Sequence, residues 1–413
     1  MHAMFEAIVE DVHSARDGAE RKRVLVFAGH YLPGYKSGGP IRSVVNMVSH
    51  LSPYFDFYVI TRNRDATETQ TYSGITPGQW YLVGSARVLY CSSVSAGVLR
   101  RVFREVRPDI ILLNSIQDTF TLVTVLLRRV GVLGNTPVVL APRGELSPGA
   151  MEIKPIKKRL YRQASKMLGF HEDLLWQATA HLEKLEILRA APARQLDPDA
   201  IFVAHNITEG PGSNAPHPLK QAGAVKLVFI SRISEKKNLH FILELLSNIH
   251  GKLRFNIFGP VAENDVAYWD KCKALLTKLP DNIEVEYRGP LDHSAVPETL
   301  RDHHFFVLPT RGENYCHAAV ESFINGTPVI LSDRTPWTGL REAYAGFDIP
   351  LNDPGGWVAA IQNCVDMDQQ TYTASLNGAQ EYSRRFGVEE AVSQHLAMFE
   401  AALAMRSGGR CRP

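Results

Sequence analysis

This 413-residue sequence offers little that points to a metal, a disulfide framework or a membrane span. Its five cysteines, Cys91, Cys272, Cys316, Cys364 and Cys411, are scattered with no CxxC pair and no short spacing suited to zinc, so free thiols in a reducing cytoplasm are expected. No run reaches the ~18–20 uncharged apolar residues needed to cross a bilayer, and residues 1–20 carry acids where a secretory signal needs an apolar core. Net charge is only +2, from 45 Lys and Arg against 43 Asp and Glu. No global field therefore draws in nucleic acid, and any anion binding must come from local clusters. No GxGxxG follows the first strand pattern and no Gly-Lys-Ser/Thr phosphate loop occurs, which argues against nicotinamide chemistry and NTP hydrolysis. The triplets Asp197-Pro198-Asp199 and Asp366-Met367-Asp368 follow no buried strand pattern, so no metal is expected to be required. Neither a solenoid-period repeat nor a low-complexity tract is present.

What is present is alternation. Apolar runs suited to parallel strands occur at 24–28, 57–61, 110–114, 138–141, 174–178 and 201–204, and helical patterns at 41–51, 96–106, 119–130, 156–168 and 181–190 separate most of them. A Pro- and Gly-rich segment over 207–223 reads as a linker. A second alternation follows, with strands at 227–230, 254–258, 283–287, 305–308 and 329–331. Its helices are predicted at 239–250, 266–279, 296–302, 316–325, 357–367 and 387–404. This pattern implies an α/β protein with two Rossmann-like parallel-sheet domains facing across a cleft: 21–206, then 224–380, with the helix at 381–405 returning to the first domain. Ligands of such sheets bind outside the carboxyl ends of the strands, so the residues just after each strand are the ones to examine.

The densest polar constellation follows the strand at 305–308: Pro309-Thr310-Arg311-Gly312-Glu313-Asn314-Tyr315-Cys316-His317. A strand feeding a polar turn and then a helix start offers open amides and a positive dipole end to an anion. Glu313 and Glu321 stand eight positions apart, about two helical turns, which would place them near one side. Alone, such a pair is more often a capped helix with solvated acids. A second cluster, Ser231-Arg232-Ile233-Ser234-Glu235-Lys236-Lys237-Asn238, follows the first strand of the second half. Two preorganised cations there can stabilise a departing diphosphate without a metal. The other reading is a solvated basic helix start.

Together these segments resemble the donor site of glycosyltransferase family 4, which has the GT-B fold. The stretch GENYCHAAVESFINGTPVILSDRTPW matches its Glu-Asn-aromatic-Gly turn, second Glu and Gly-Thr-Pro-Val strand, with Cys316 standing where the family has Gly. The segment from Phe229 to Asn238 resembles the family's Gly-Arg-Leu-x-x-x-Lys-Gly, with Ser231 and Asn238 in the two glycine places. The resemblance implies that Glu313 meets the donor sugar, Glu321 the ribose hydroxyls, and Arg232 and Lys237 the diphosphate. It makes Glu313, Arg232 and Lys237 the catalytic set, with Asn314, Tyr315, Cys316 and Glu321 binding donor. Gly38 and Gly39 fit the family's glycine pair in the first loop, where bare backbone approaches the donor phosphates; a simple turn is the alternative. Arg143 and Glu145 sit at a strand end facing the expected cleft, with no fixed role. The family's His after the strand at 110–113 is missing. Asn114-Ser115-Ile116-Gln117-Asp118 stands there, so Asn114 or Asp118 either substitutes or caps the strand end, and His181 and His205 are further candidates.

The resemblance implies a retaining hexosyltransferase that uses a nucleotide diphosphate sugar and needs no cofactor. Its acceptor would be a saccharide or lipid-linked saccharide of surface polysaccharide biosynthesis, and no nucleic acid partner is expected. The cations Lys154, Lys157, Lys158, Arg159, Arg162 and Lys166, with Arg128 and Arg129, either form a solvated face or rest on anionic lipid at the inner face of the membrane. A nucleotide-sugar epimerase, a phosphorylase and a non-catalytic nucleotide-sugar-binding subunit are the alternatives.

Overall fold

The computed structural model describes residues 21–406 except 67, 153–154, 209 and 211–214. Cys411, Lys154, the 1–20 stretch and part of the 207–223 segment therefore lie outside the described residues. The chain divides into two compact units, one running to Ile207 and resuming at Glu389, the other spanning Thr208–Val388.

The first unit is built from β1 (Lys22–Phe27), α1 (Gly39–Leu51), β2 (Phe55–Arg62), β3 (Trp80–Val83), β4 (Ala86–Cys91), α2 (Ala96–Val106), β5 (Ile110–Asn114), α3 (Thr119–Arg129), β6 (Val138–Ala141), α4 (Pro148–Glu152), α5 (Pro155–Leu168), β7 (Leu175–Ala178), α6 (His181–Ala190) and β8 (Ile201–Val203). Its sheet runs in the order β3-β4-β2-β1-β5-β6-β7-β8, parallel throughout except where β3 pairs antiparallel with β4. The inner strands Ile110–Asn114 and Val138–Ala141 are buried along their whole length, as a sheet covered on both faces demands. One face packs on Leu99, Val102, Phe103 and Phe120; the other packs on Val44, Met47, Val48, Met398 and Phe399.

The second unit contains β9 (Ala224–Ile230), α7 (Leu239–Leu245), β10 (Lys252–Phe258), α8 (Val266–Leu276), β11 (Ile283–Gly289), α9 (Val296–Arg301), β12 (Phe305–Leu308), α10 (His317–Ile324), β13 (Val329–Ser332), β14 (Gly346–Ile349), α11 (Pro354–Asp366) and α12 (Gln369–Ser383). The last helix, α13 (Val388–Arg406), follows. All six strands are parallel, in the order β11-β10-β9-β12-β13-β14. Counted from β9, that is the 3-2-1-4-5-6 order of a doubly wound nucleotide fold, whose strand order reverses between β9 and β12.

Several sequence expectations shift here. The helix expected over 239–250 is α-helical only to Leu245 and finishes as a 3-10 turn. Strands β3, β4 and β14 and helix α12 were not predicted. Part of the segment read as a linker is docked on the second unit: buried Lys220 donates its ammonium to the carbonyls of Gln221, Val365 and Met367, each at 2.9 Å. The two Asp-x-Asp triplets serve as caps. Asp197 accepts from the Asp199 amide at 2.9 Å and Asp368 from the Thr371 amide at 2.8 Å.

Candidate active site

At the strand-order reversal of the second unit, the loops after β9 and β12 are bound to one another. Arg311 donates its amide to the Lys236 carbonyl at 2.8 Å, and Asn238 Nδ2 donates to the Pro309 carbonyl at 3.1 Å. Across this seam Lys237 Nζ donates to Glu313 Oε1 at 2.5 Å, with the two side chains only 15% and 11% exposed. The Thr310 hydroxyl donates to the same oxygen at 2.8 Å. Burial pushes the Glu313 carboxyl upward, but Lys237 and Lys236 outweigh it and hold it below the ordinary carboxylate range. Lys237 and Glu313, chosen from separate sequence segments, are thus brought into one ion pair.

Two backbone positions explain how this seam closes. Asn238 and Cys316 both adopt left-handed geometry, at φ 61° and 62°, and they are the places where the resembled family carries glycine. Asparagine tolerates that region because its short amide can bond locally; cysteine has no such compensation. The Cys316 carbonyl accepts from Ala319 and Val320 and so opens α10, whose N-terminus has no side-chain cap and no acid in its first turn. Its positive end meets no acid of its own first turn, while the Glu313 and Glu321 carboxylates act on Cys316 from either side in sequence. Burial pushes the Cys316 thiol up, so it stays protonated. Gly259, at φ 147°, is a residue that sequence reasoning passed over. A Cβ there would lie 1.8 Å from the Ser231 carbonyl oxygen, so only glycine lets the end of β10 pass beneath the Ser231–Arg232 backbone.

The other predicted residues of the second unit lie in these two loops or on α10. Tyr315 is buried, edge-on to Trp337 at 5.3 Å, and burial raises its hydroxyl to about 12. Asn314 Oδ1 is buried without a hydrogen-bond partner among the described residues. Glu321 lies on α10, with its Oε1 4.0 Å from His293 Nδ1. Helical spacing does not link it to Glu313, contrary to the sequence expectation, because α10 begins at His317 and Glu313 belongs to the preceding turn. Arg232 is exposed and acts electrostatically on Asp265.

In the first unit, Gly38 (φ 62°, ψ −123°) is the N-cap of α1, in a conformation open only to glycine, and Gly39 begins the helix. Asn114 and Arg143 are bound to each other. Asn114 Oδ1 accepts from Arg143 Nε and Nη2 at 3.0 and 2.7 Å, and its Nδ2 donates to the Phe27 carbonyl at 3.2 Å. Arg143 also donates to Asn206 Oδ1 at 2.9 Å, and burial lowers its guanidinium to about 10, against the pull of Glu183. Glu145 accepts from the Ser115 hydroxyl and from the Ile116 and Gln117 amides, and burial raises its carboxyl despite those bonds. These three side chains fix the loop after β5 from below. Asp118 caps α3 through the Phe120 amide and pairs with Arg62, while His205 Nδ1 bonds the Thr179 carbonyl and His181 is exposed at the start of α6.

The second unit is thus a doubly wound sheet with the Lys237–Glu313 pair at its strand-order reversal. Residues 224–367 match the family described as glycosyl transferases group 1. A D-inositol 3-phosphate glycosyltransferase 1 of Catenulispora acidiphila is 30% identical over 145 residues, 35% of this chain and 34% of that protein. A D-inositol 3-phosphate glycosyltransferase of Streptomyces bingchenggensis is 24% identical over 239 residues, 52% of this chain and 50% of that protein. The matches thus span about a third to a half of those curated relatives. Among solved structures, sucrose-phosphate synthase from Thermosynechococcus elongatus superposes with a TM-score of 0.73 at 16% identity, covering 93% of this chain and 100% of the other. Anabaena HepE in complex with UDP and glucose does so at 0.68 and 14%, covering 92% and 100%. The fold is GT-B, and the match over residues 224–367 supports a glycosyltransferase of group 1, a coarser class than the family 4 that the motifs resemble.

Proposed function

We propose that this chain is a retaining glycosyltransferase that moves a hexose from a nucleotide diphosphate sugar held by its second unit to a saccharide or lipid-linked saccharide acceptor. The observation that carries the reading is the part-buried Lys237–Glu313 pair at the β9/β12 reversal, beside the uncapped start of α10. Breaking the sugar–phosphate bond leaves added negative charge on the diphosphate, and a preorganised lysine, an arginine and open helix amides stabilise it most where it develops. Glu313, held ionised, then accepts hydroxyls of the donor sugar, and Glu321 those of the ribose. Curated relatives carry D-inositol 3-phosphate glycosyltransferase in their names and one structural neighbour holds UDP, so UDP-sugars are the first donors to try.

On the first unit, α5 exposes Ile156, Leu160, Met167 and Leu168 beside exposed Lys157, Arg159 and Lys166, which supports contact of a lipid-linked acceptor's membrane with this helix. Nucleoside diphosphate release from UDP-, GDP- and ADP-sugars, with and without a crude glycan acceptor, tests the proposal. Release that requires the acceptor supports transfer. Isomerised donor without acceptor assigns an epimerase instead, and tight donor binding with no release assigns a binding subunit.

A further inference from the structure

The motif's final stretch, Asp333-Arg334-Thr335-Pro336-Trp337, follows β13 and carries none of the predicted donor contacts. Yet this stretch and the end of β13 are joined to the turn at 309–316 in three places. The Ser332 hydroxyl donates to the Thr310 carbonyl at 2.5 Å, and the Glu313 amide donates to the Arg334 carbonyl at 2.9 Å. The third joint is aromatic: the Trp337 ring lies 5.3 Å from that of Tyr315, at 80°.

The loop that presents Trp337 is fixed from behind. Asp348 on β14 accepts from the Gly339 and Leu340 amides, each at 3.1 Å, and the Tyr382 hydroxyl donates to the Thr338 carbonyl at 3.0 Å. Trp337 also meets Phe386 edge-on at 4.7 Å, and Phe386 stacks on Phe323 of α10 at 5.9 Å. Only 7% of Trp337 is exposed, and its Nε1 has no hydrogen-bond partner among the described residues, so its hold on Tyr315 is ring against ring. Glu313 is clamped separately by Lys237 and Thr310. What is left for Trp337 to hold is Asn314-Tyr315-Cys316, which leads directly into α10. Amides at a helix start serve an anion best when they are already in place, because pre-oriented donors need no reordering on binding.

We propose that Trp337 is a positioning residue for donor binding: through Tyr315 it holds the start of α10 in the geometry that receives the diphosphate. The inference rests on the glycosyltransferase reading for its ligand, while the support of the turn stands on the contacts alone.

Two substitutions separate the ring from its bulk. Trp337→Leu keeps apolar volume and loses the aromatic edge, whereas Trp337→Phe keeps an edge. Both are compared with wild type under conditions where urea unfolding shows them folded. In Trp337→Leu, the KM of the active UDP-sugar and the calorimetric dissociation constant of UDP should rise about tenfold, the worth of one aromatic edge contact. The kcat for nucleoside diphosphate release should stay within about threefold, because the Glu313 clamp is untouched. Trp337→Phe should recover most of the lost affinity. Amide hydrogen exchange over 314–317 should quicken in Trp337→Leu and not in Trp337→Phe. Unchanged KM and UDP affinity in Trp337→Leu, or a loss confined to kcat, overturns the positioning role. So does a Trp337→Phe protein as impaired as Trp337→Leu. If Trp337→Leu does not fold, Phe386→Leu removes the ring that backs Trp337 and carries the same expectations. Failure of UDP, GDP and ADP to bind wild type, with exchange still quickened in Trp337→Leu, removes the glycosyltransferase reading and leaves the support of the turn standing. Unchanged exchange removes that support as well.

Discussion

Lys237 gives the sharpest test at the scale of single residues. Its truncation in Lys237→Ala removes the partner of a buried carboxylate as well as a cation for the leaving diphosphate. Transfer should fall about 10²-fold or more, read as nucleoside diphosphate release. Glu313 makes a second prediction, about pH. Its carboxyl is held below the usual range in the folded protein, so the stability it contributes is complete above its unfolded value of about 4.3. That contribution is lost as pH falls through the lower, folded value. Glu313→Gln should flatten this acid-side slope in urea unfolding, while costing about 1–3 kcal/mol at neutral pH because part-buried Lys237 loses its charged partner. Cys316 supplies a third. Glycine at φ 62° relieves backbone strain while the lost thiol packing opposes it, so Cys316→Gly should stay within about 1 kcal/mol of wild type. Cys316→Val, β-branched at the same angle, should be clearly less stable. Both glycine departures were visible in the sequence; the left-handed backbone that makes them comparable was not.

At the level of elements, the loop geometry depends on one contact. Gly259→Ala should push the end of β10 away from Ser231 and so disturb the Arg232–Lys237 segment. We expect a soluble but destabilised protein whose UDP affinity drops at least tenfold, measured by calorimetry. The same scale shows where sequence reading succeeds and stops. The strands over 110–114, 138–141 and 305–308 are fully buried, and their unbroken apolar runs identify them without ambiguity. Strand β3 escapes because it is a short edge, partly exposed along Trp80, Tyr81 and Leu82, and it has no apolar alternation to reveal it. Helix α12 escapes for another reason. It buries Tyr372, Ser375, Gly378, Ala379 and Tyr382, a helical spacing written largely in small and polar residues. Gly378 lies where a Cβ would come within 2.5 Å of the Ala343 carbonyl oxygen, so close backbone packing replaces apolar bulk. The Lys237–Glu313 pair was legible only as two separate motifs. That they meet follows from the crossover between β9 and β12, which no local pattern encodes.

For the molecule as a whole, three buried histidines set an acid limit. Burial lowers His171, His304 and His395 to about 4. His304 accepts the Lys226 amide at Nδ1, and His395 Nε2 meets the Gln177 amide, so protonation breaks bonds already made. With folded values below the unfolded 6.5, stability is whole above that pH and declines as pH falls toward 4, by up to about 3 kcal/mol for each residue. Thermal unfolding followed from pH 7 to 4 should show this decline well before the carboxylates titrate, with His395→Gln shallower than wild type. A melting temperature unchanged down to pH 5 would show that these rings do not matter. The return of α13 to the first unit has its own consequence. Met398, Phe399 and Ala402 complete one face of a sheet whose strands were all made before residue 208. During synthesis at ~5–20 residues per second, that face waits roughly 10–40 s while the second unit emerges. The later-made domain can therefore finish folding before the earlier one, and the first sheet keeps apolar surface uncovered for that interval.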